Sequence, residues 1–195
     1  MTVAASNYAR ADGDKYFTPA WVTDALLSAE RLDDGIWDPA AGDGQIVLAA
    51  KAAGIEAHGS DIAPDAPFIT SIDFFDIKAG CEWPNIVTNP PYGTGSRLAV
   101  KFIEHALKLT KPHGGKVAML LKVGFDSAGG RRHLFADHPA FAVEYRLTRR
   151  IRWTNLPQSD AGPTENHSWM IWDWRKRPDM PAVKKYLPLM EASHG

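Results

Sequence analysis

Short apolar runs alternate along the chain with stretches whose apolar residues recur at helical spacing, the pattern of strands alternating with amphipathic helices. Thr18-Pro19 reads as the N-cap and first residue of a helix that carries Trp21, Val22, Ala25 and Leu26 on one face and is closed by Gly35. Ile36–Asp38 follows as a short strand, then a glycine turn, then a helix through Ile46, Val47, Ala50 and Ala53 to Gly54. Residues 56–61 predict a second strand ending in Asp61, and Asn85–Thr88 a buried one. Ser96 is placed to cap a helix with Leu98, Ala99, Phe102, Ile103, Ala106 and Leu107 inward, and Lys116–Val123 is the clearest core strand. Strands joined by helices of this kind predict an α/β fold with a mainly parallel sheet.

The last third breaks that rhythm. Arg149–Thr154 and Ser168–Arg175 read as two antiparallel strands joined by a loop over residues 155–167, rich in Pro, Gly, Asp and Ser. In Trp169–Trp174 both alternating faces carry large apolar groups, which suits a strand buried on both sides. With no repeat, low-complexity tract or dividing linker, residues 1–195 are expected to form a single domain.

Composition narrows the class. At 45 % hydrophobic and 23 % charged residues the chain has enough apolar surface for a core. A lone cysteine, Cys81, excludes an intramolecular disulfide and a multi-cysteine zinc site, and no metal site is expected. Met1–Lys15 is polar and mixed in charge, unlike a secretory signal, and no apolar run approaches the roughly 20 residues that span a bilayer. A cytoplasmic protein without membrane contact is the expectation. The net charge of −1 hides an asymmetry: residues 1–95 carry 5 Lys/Arg against 14 Asp/Glu, and residues 96–195 carry 17 against 9. A polyanion would be oriented by such a split.

Two motifs carry chemistry. In Asp38-Pro39-Ala40-Ala41-Gly42-Asp43-Gly44, Gly42 and Gly44 let the backbone turn sharply and approach a ligand closely. About twenty residues on, Asp61 ends a strand, where a carboxylate can accept from both hydroxyls of a ribose. Val47 stands where a dinucleotide fingerprint has its third glycine, which disfavours NAD and favours a nucleoside cofactor without pyrophosphate, of which S-adenosylmethionine is the common one. The second motif is Asn89-Pro90-Pro91-Tyr92 at a strand exit. The exocyclic amino group of a base is a poor nucleophile because its lone pair is delocalised into the ring. The Asn89 amide oxygen and the Pro90 carbonyl can accept its two hydrogens, two prolines stiffen the backbone that presents them, and Tyr92 can stack on the base.

Residues 38–44 and 89–92 together resemble the class I S-adenosylmethionine-dependent amino-methyltransferases, above all the DNA adenine-N6 enzymes. Tyr16-Phe17-Thr18-Pro19 resembles the Phe-Thr-Pro element that precedes the glycine motif in one subgroup and helps hold the methionine part of the cofactor. Asp73-Phe74-Phe75 resembles the element in which an Asp accepts from the cofactor's adenine amino group and the next aromatic packs on its ring. The order of elements matches over about residues 16–125, and the compact layout resembles that of phage and prophage members.

The resemblance implies a Rossmann-like class I methyltransferase fold: a seven-stranded, mainly parallel sheet with an antiparallel C-terminal strand and helices on both faces. It implies Phe17, Thr18, Pro19, Asp38, Ala40, Gly42, Gly44, Asp61, Asp73, Phe74 and Asn89 around S-adenosylmethionine, with Asn89, Pro90, Pro91 and Tyr92 at the acceptor. Asp38 either orients the glycine loop or meets the cofactor's amino group through water. The separate target-recognition region of many relatives is missing. A basic cluster of Arg131, Arg132, Arg149, Arg150 and Arg152, with Arg146, is the candidate for phosphate contact, and a second copy or partner protein is an alternative recognition surface. The expected partner is DNA. RNA adenine, a protein glutamine amide and a non-catalytic cofactor-binding module are the competing readings.

Overall fold

In the computed structural model, which describes residues 15–78, 83–156 and 162–189, the strands join in one eight-stranded sheet. In chain order the elements are α1 (Ala20–Leu27), β1 (Ile36–Asp38), α2 (Gln45–Ala52), β2 (Ala57–Asp61), β3 (Thr70–Ser71), β4 (Asn85–Thr88), α3 (Arg97–Thr110), β5 (Lys116–Lys122), β6 (Phe141–Arg146), β7 (His167–Asp173) and β8 (Val183–Tyr186). Residues 1–14, Cys81 and residues 157–161 of the predicted loop lie outside the described residues.

The sheet order is β3-β2-β1-β4-β5-β7-β6-β8, parallel except that β7 runs antiparallel to both β5 and β6. Alternation along the strands divides the core into two. Ile36, Val87, Ala118, Leu120, Trp169 and Ile171 pack with α1 and α2 on one face. Trp37, Ile86, Val117, Met119, Leu121, Met170 and Trp172 pack with α3 on the other. This is the α/β arrangement that the alternating pattern predicts, with the helices on both faces that the resemblance implies. The inner strand β7 shows why its sequence is apolar on both sides: Trp169 and Trp172 face opposite layers, both fully buried. Each indole N–H finds a carbonyl, Trp169 donating to Val22 at 2.9 Å and Trp172 to Leu134 at 2.6 Å. From β1 the chain first builds outward through β2 and β3, then returns to build from β4 in the other direction. The switch point between β1 and β4 opens a crevice at their carboxyl ends, the place where open α/β sheets bind ligands.

Four expectations are corrected. The strand predicted at Arg149–Thr154 does not form. The C-terminal pair uses β6 instead, whose bulge between Phe141 and Val143 puts Phe141 on one core and Val143 and Tyr145 on the other, hiding the alternation. The Leu147 N–H still bonds to His167, but the chain then leaves the sheet. Ile151 and Trp153 turn inward and Arg150 and Arg152 outward without a ladder. Thr18 does not cap α1: Pro19 occupies the cap position without a side-chain bond, and the helix ends at Leu27 rather than near Gly35. Ser96 takes the cap position of α3 in a left-handed conformation (φ 63°) and makes no cap hydrogen bond. Finally, the sheet carries an eighth strand, β8, parallel to β6 at the edge.

Candidate active site

The crevice is a cleft of about 350 Å³ to which five segments bring predicted site residues. Phe17 and Thr18 come from the segment before α1, Asp38, Ala40 and Gly42 from the turn after β1, Asp61 from the end of β2, Asp73 and Phe74 from the turn after β3, and Asn89 and Pro91 from the exit of β4. A volume of this size suits a small molecule. Asp61 joins two of these walls. One carboxylate oxygen accepts from the Gly42 N–H and the other from the Ala63 N–H, both at 2.9 Å, so the glycine turn and the end of β2 are locked together. Gly42 is left-handed (φ 52°), and a Cβ there would lie 3.4 Å from the Phe17 ring. Asp73 accepts from the Phe75 N–H at 2.9 Å and so starts the tight turn over Phe74–Asp76.

Asp38 differs from these carboxylates. It is buried, and burial pushes its carboxyl up to about 7 against the favourable Ala40 N–H at 3.1 Å. Asp61 and Asp43, both acidic, push in the same direction as burial. The Thr88 hydroxyl faces it, favouring charge, but reaches hydrogen-bonding geometry with no described residue.

At the mouth of the cleft the Asn89 amide has a fixed orientation. Its Nδ2 donates to the Tyr16 carbonyl at 3.0 Å and to the Thr18 hydroxyl at 3.3 Å. The Tyr16 carbonyl can only accept, so the amide must turn its nitrogen towards it and its Oδ1 away. No described residue donates to Oδ1, which is left as a free acceptor. The Tyr92 hydroxyl accepts from the Lys122 N–H at 2.7 Å, tying the acceptor loop to the end of β5, and its ring meets Phe125 edge-on.

No protein-family model matches the chain, and neither does any curated protein. Solved structures do. A Listeria monocytogenes protein assigned to the class I S-adenosylmethionine-dependent methyltransferases matches with a TM-score of 0.62 at 14% identity, over 93% of this chain and 68% of that one. A Pyrococcus horikoshii protein assigned as an RNA methyltransferase matches at 0.61 and 15% identity, over 86% of this chain and 90% of that one. A Thermoplasma acidophilum protein matches at 0.56 and 14% identity, over 78% and 86%. The fold is that of the class I methyltransferases.

In this methyltransferase fold four predicted residues stand off the cleft lining. Gly44 is the left-handed cap of α2 (φ 82°), with the Phe68 ring where a Cβ would go, so its requirement for glycine comes from the backbone and its packing rather than from the cleft. Pro19 heads α1, Pro90 is buried behind Asn89, and Tyr92 is half-buried against β5. Phe74 is 2% exposed and packs on Trp37 and Phe102, whereas its neighbour Phe75 is half-buried and also lines the cleft. Phe75 belongs to the Asp73-Phe74-Phe75 element but is not the aromatic that the resemblance assigns to the cofactor, and Ile62, Leu98 and Phe102 are lining residues outside the motifs; helical periodicity marked the last two only as core.

The arginines divide. Arg131 lies 3.8 Å over the Phe125 ring and donates to its carbonyl, Arg132 is paired with Asp137 at 2.8 Å, and Arg146 is paired with buried Glu144 at 2.7 Å. No salt bridge among the described residues reaches Arg149, Arg150 or Arg152, all exposed on the segment leaving β6. Because β5 and β6 both oppose β7, they point the same way, and this segment emerges at the same edge of the sheet as Asn89.

Proposed function

We propose that this chain transfers the methyl group of S-adenosylmethionine to the exocyclic N6 amino group of adenine in DNA. The observation that carries the reading is Asn89: an amide at the cleft mouth whose nitrogen is engaged and whose oxygen is free to accept. An amino hydrogen held by Oδ1, with the second on the Pro90 carbonyl, draws the nitrogen towards a pyramidal, nucleophilic geometry, and preorganised acceptors do this without reorganisation at the moment of reaction. Tyr92, half-buried beside Asn89, would stack on the base; as the N–C bond forms the methyl–sulfur bond would break to leave a neutral thioether, and the amino group would then release one proton to solvent.

The cleft suits the cofactor on its own terms. Gly42 leaves space opposite Phe17 that a Cβ would occupy, and Asp61 has lone pairs beyond its two backbone bonds for ribose hydroxyls. Asp73 has a second oxygen for an adenine amino group, with Phe74 and Phe75 beside it. Phe17, Thr18, Asp38 and Ala40 would surround the methionine end. When bound, the cofactor supplies a methyl group on a sulfonium, an already activated electrophile. Arg149, Arg150 and Arg152, free of ion pairs among the described residues, would meet phosphates at the same edge.

The test is transfer of labelled methyl from S-adenosylmethionine to unmethylated double-stranded DNA, single-stranded DNA and total RNA, digested to nucleosides, with Asn89→Ala as the blank. Label in N6-methyldeoxyadenosine supports the reading. Label only in RNA moves the substrate towards that of the P. horikoshii protein. Label in neither, with cofactor bound, overturns the reading in favour of a protein amide or a non-catalytic module.

A further inference from the structure

The segment over residues 15–18 runs extended between two carboxamides. On one side Asn89 Nδ2 bonds to the Tyr16 carbonyl and the Thr18 hydroxyl. On the other, Asn155 accepts from the Phe17 N–H at 3.1 Å and donates to the Lys15 carbonyl at 2.9 Å. Even-numbered residues face Asn89 and odd-numbered ones Asn155, as the two-residue period of an extended chain requires. Asn155 thus gives this strap the donor–acceptor pair that a neighbouring strand would supply. The adjacent residues reinforce it: the Trp153 ring lies 5.2 Å from that of Tyr16, and the Thr154 hydroxyl donates to the Phe17 carbonyl at 3.5 Å. At the near end Lys15 is anchored on Asp65 and the Ala63 carbonyl, beside the end of β2.

An asparagine amide turns about a broad terminal torsion, and reversed it would present N–H donors to an amino group that itself donates. Among the described residues only the strap's acceptors fix which end of Asn89 faces the cleft mouth, and the strap is held from the far side by an exposed residue of the loop that follows β6. We propose that Asn155 is a positioning residue, acting through residues 15–18 to hold the Asn89 amide in the orientation that accepts an amino group. This inference rests on the adenine-N6 reading above, and it makes the segment bearing Arg149, Arg150 and Arg152 continuous with the part that sets the acceptor.

The experiment compares wild type, Asn155→Leu and Asn155→Gln at saturating cofactor and DNA, with amide hydrogen exchange followed at Phe17. In Asn155→Leu the Phe17 amide exchanges faster and kcat falls ten- to hundredfold, roughly the effect of an ångström-scale misplacement, while KM for DNA and Tm hold. Asn155→Gln, which keeps the carboxamide, recovers most of the rate. A wild type that transfers methyl groups beside an equally active Asn155→Leu overturns the role of Asn155 alone, as does a loss of rate that follows Tm. A wild type inactive on every nucleic acid overturns the reaction on which the role depends.

Discussion

The two ends of the sheet's carboxyl edge bury ionisable groups under the same physical pressure and reach opposite results. At the cleft end, Asp38 closes β1 beneath the glycine turn, and burial raises its carboxyl to about 7. At the other end, His167 opens β7, with its ring perpendicular to Trp153 at 5.2 Å. Burial, helped by the charge of Lys122, lowers it to about 4. Desolvation disfavours charge in both, so the acid gains a proton and the imidazole refuses one. The consequence is an asymmetry of charge along one edge. At the cleft end Asp38 changes charge near neutrality. The other end stays neutral, a packed wedge under the segment that reaches over to the strap. Among the described residues no salt bridge imposes either state.

Within the cleft end itself, the sharpest division is between cofactor binding and transfer. Asn89→Ala removes the acceptor that faces the reacting amino group, so methyl transfer is expected to fall at least about 100-fold, while cofactor affinity, which loses only the support Nδ2 gives to Tyr16 and Thr18, falls far less. Loss of cofactor affinity on the scale of the transfer defect would erase the division. Asp61→Ala should do the reverse. It deletes an acceptor at the cleft and frees the Gly42 and Ala63 N–H groups, weakening the cofactor by roughly 1.5–3 kcal/mol. An unchanged calorimetric titration would exclude Asp61 as the ribose acid.

Stability against pH separates the same two ends more gently. The contribution of Asp38 is complete below its ordinary value of 3.8 and is lost as pH rises through about 7. That of His167 is complete above 6.5 and is lost as pH falls towards about 4. Between about 4 and 6.5 their slopes oppose each other, at about 1.4 kcal/mol per pH unit each. Denaturant titrations in this window should therefore show Asp38→Asn gaining stability with rising pH relative to wild type, and His167→Gln losing it. Parallel pH profiles for the two variants would show that the groups are not buried in opposite senses.

The cleft end was legible in the sequence because its parts are backbone-defined and adjacent in the chain. A strand, a left-handed glycine turn and a terminal acid must lie where Ile36–Asp38, Gly42 and Asp61 place them, and Asn89 follows a short, fully buried strand with Ile86 and Val87 at its centre. The other end was less so. Ile151 and Trp153 alternate with arginines as a strand would, but what they pack on is α1, the strap and the core, so the period was right and the partner wrong. The true strand β6 was hidden by its bulge and by a buried carboxylate, Glu144. Burial works against the charge of Glu144, but Ser168, Arg146 and Lys184 hold its pKa below the usual range. The fork of Asn155 had no signal at all: an asparagine in a polar loop reads as a turn residue until the strap 138 residues away is seen beside it.

The smallest effect concerns the arginines, and it tests whether the basic half works as one surface. Arg131 and Arg132 already have partners, a ring face with a carbonyl and the Asp137 carboxylate, so a phosphate would have to compete for them. Arg149 lies 5.2 Å over Trp21, and among the described residues Arg150 bonds to neutral groups, the Asn166 amide oxygen at 3.1 Å and the Pro163 carbonyl at 3.4 Å. Such neighbours orient a guanidinium without neutralising it, leaving full charge at the edge where Asn89 opens. Removing both charges with Arg149→Gln and Arg150→Gln should reduce the slope of log K against log salt for duplex DNA by about 1.8, the share of two phosphates no longer neutralised. The paired Arg132→Gln should leave that slope nearly unchanged, since its charge is already met by Asp137. Equal reductions from both changes would mean that the phosphate surface extends down past the end of β5, and that the edge carrying the acceptor is not where the backbone is held.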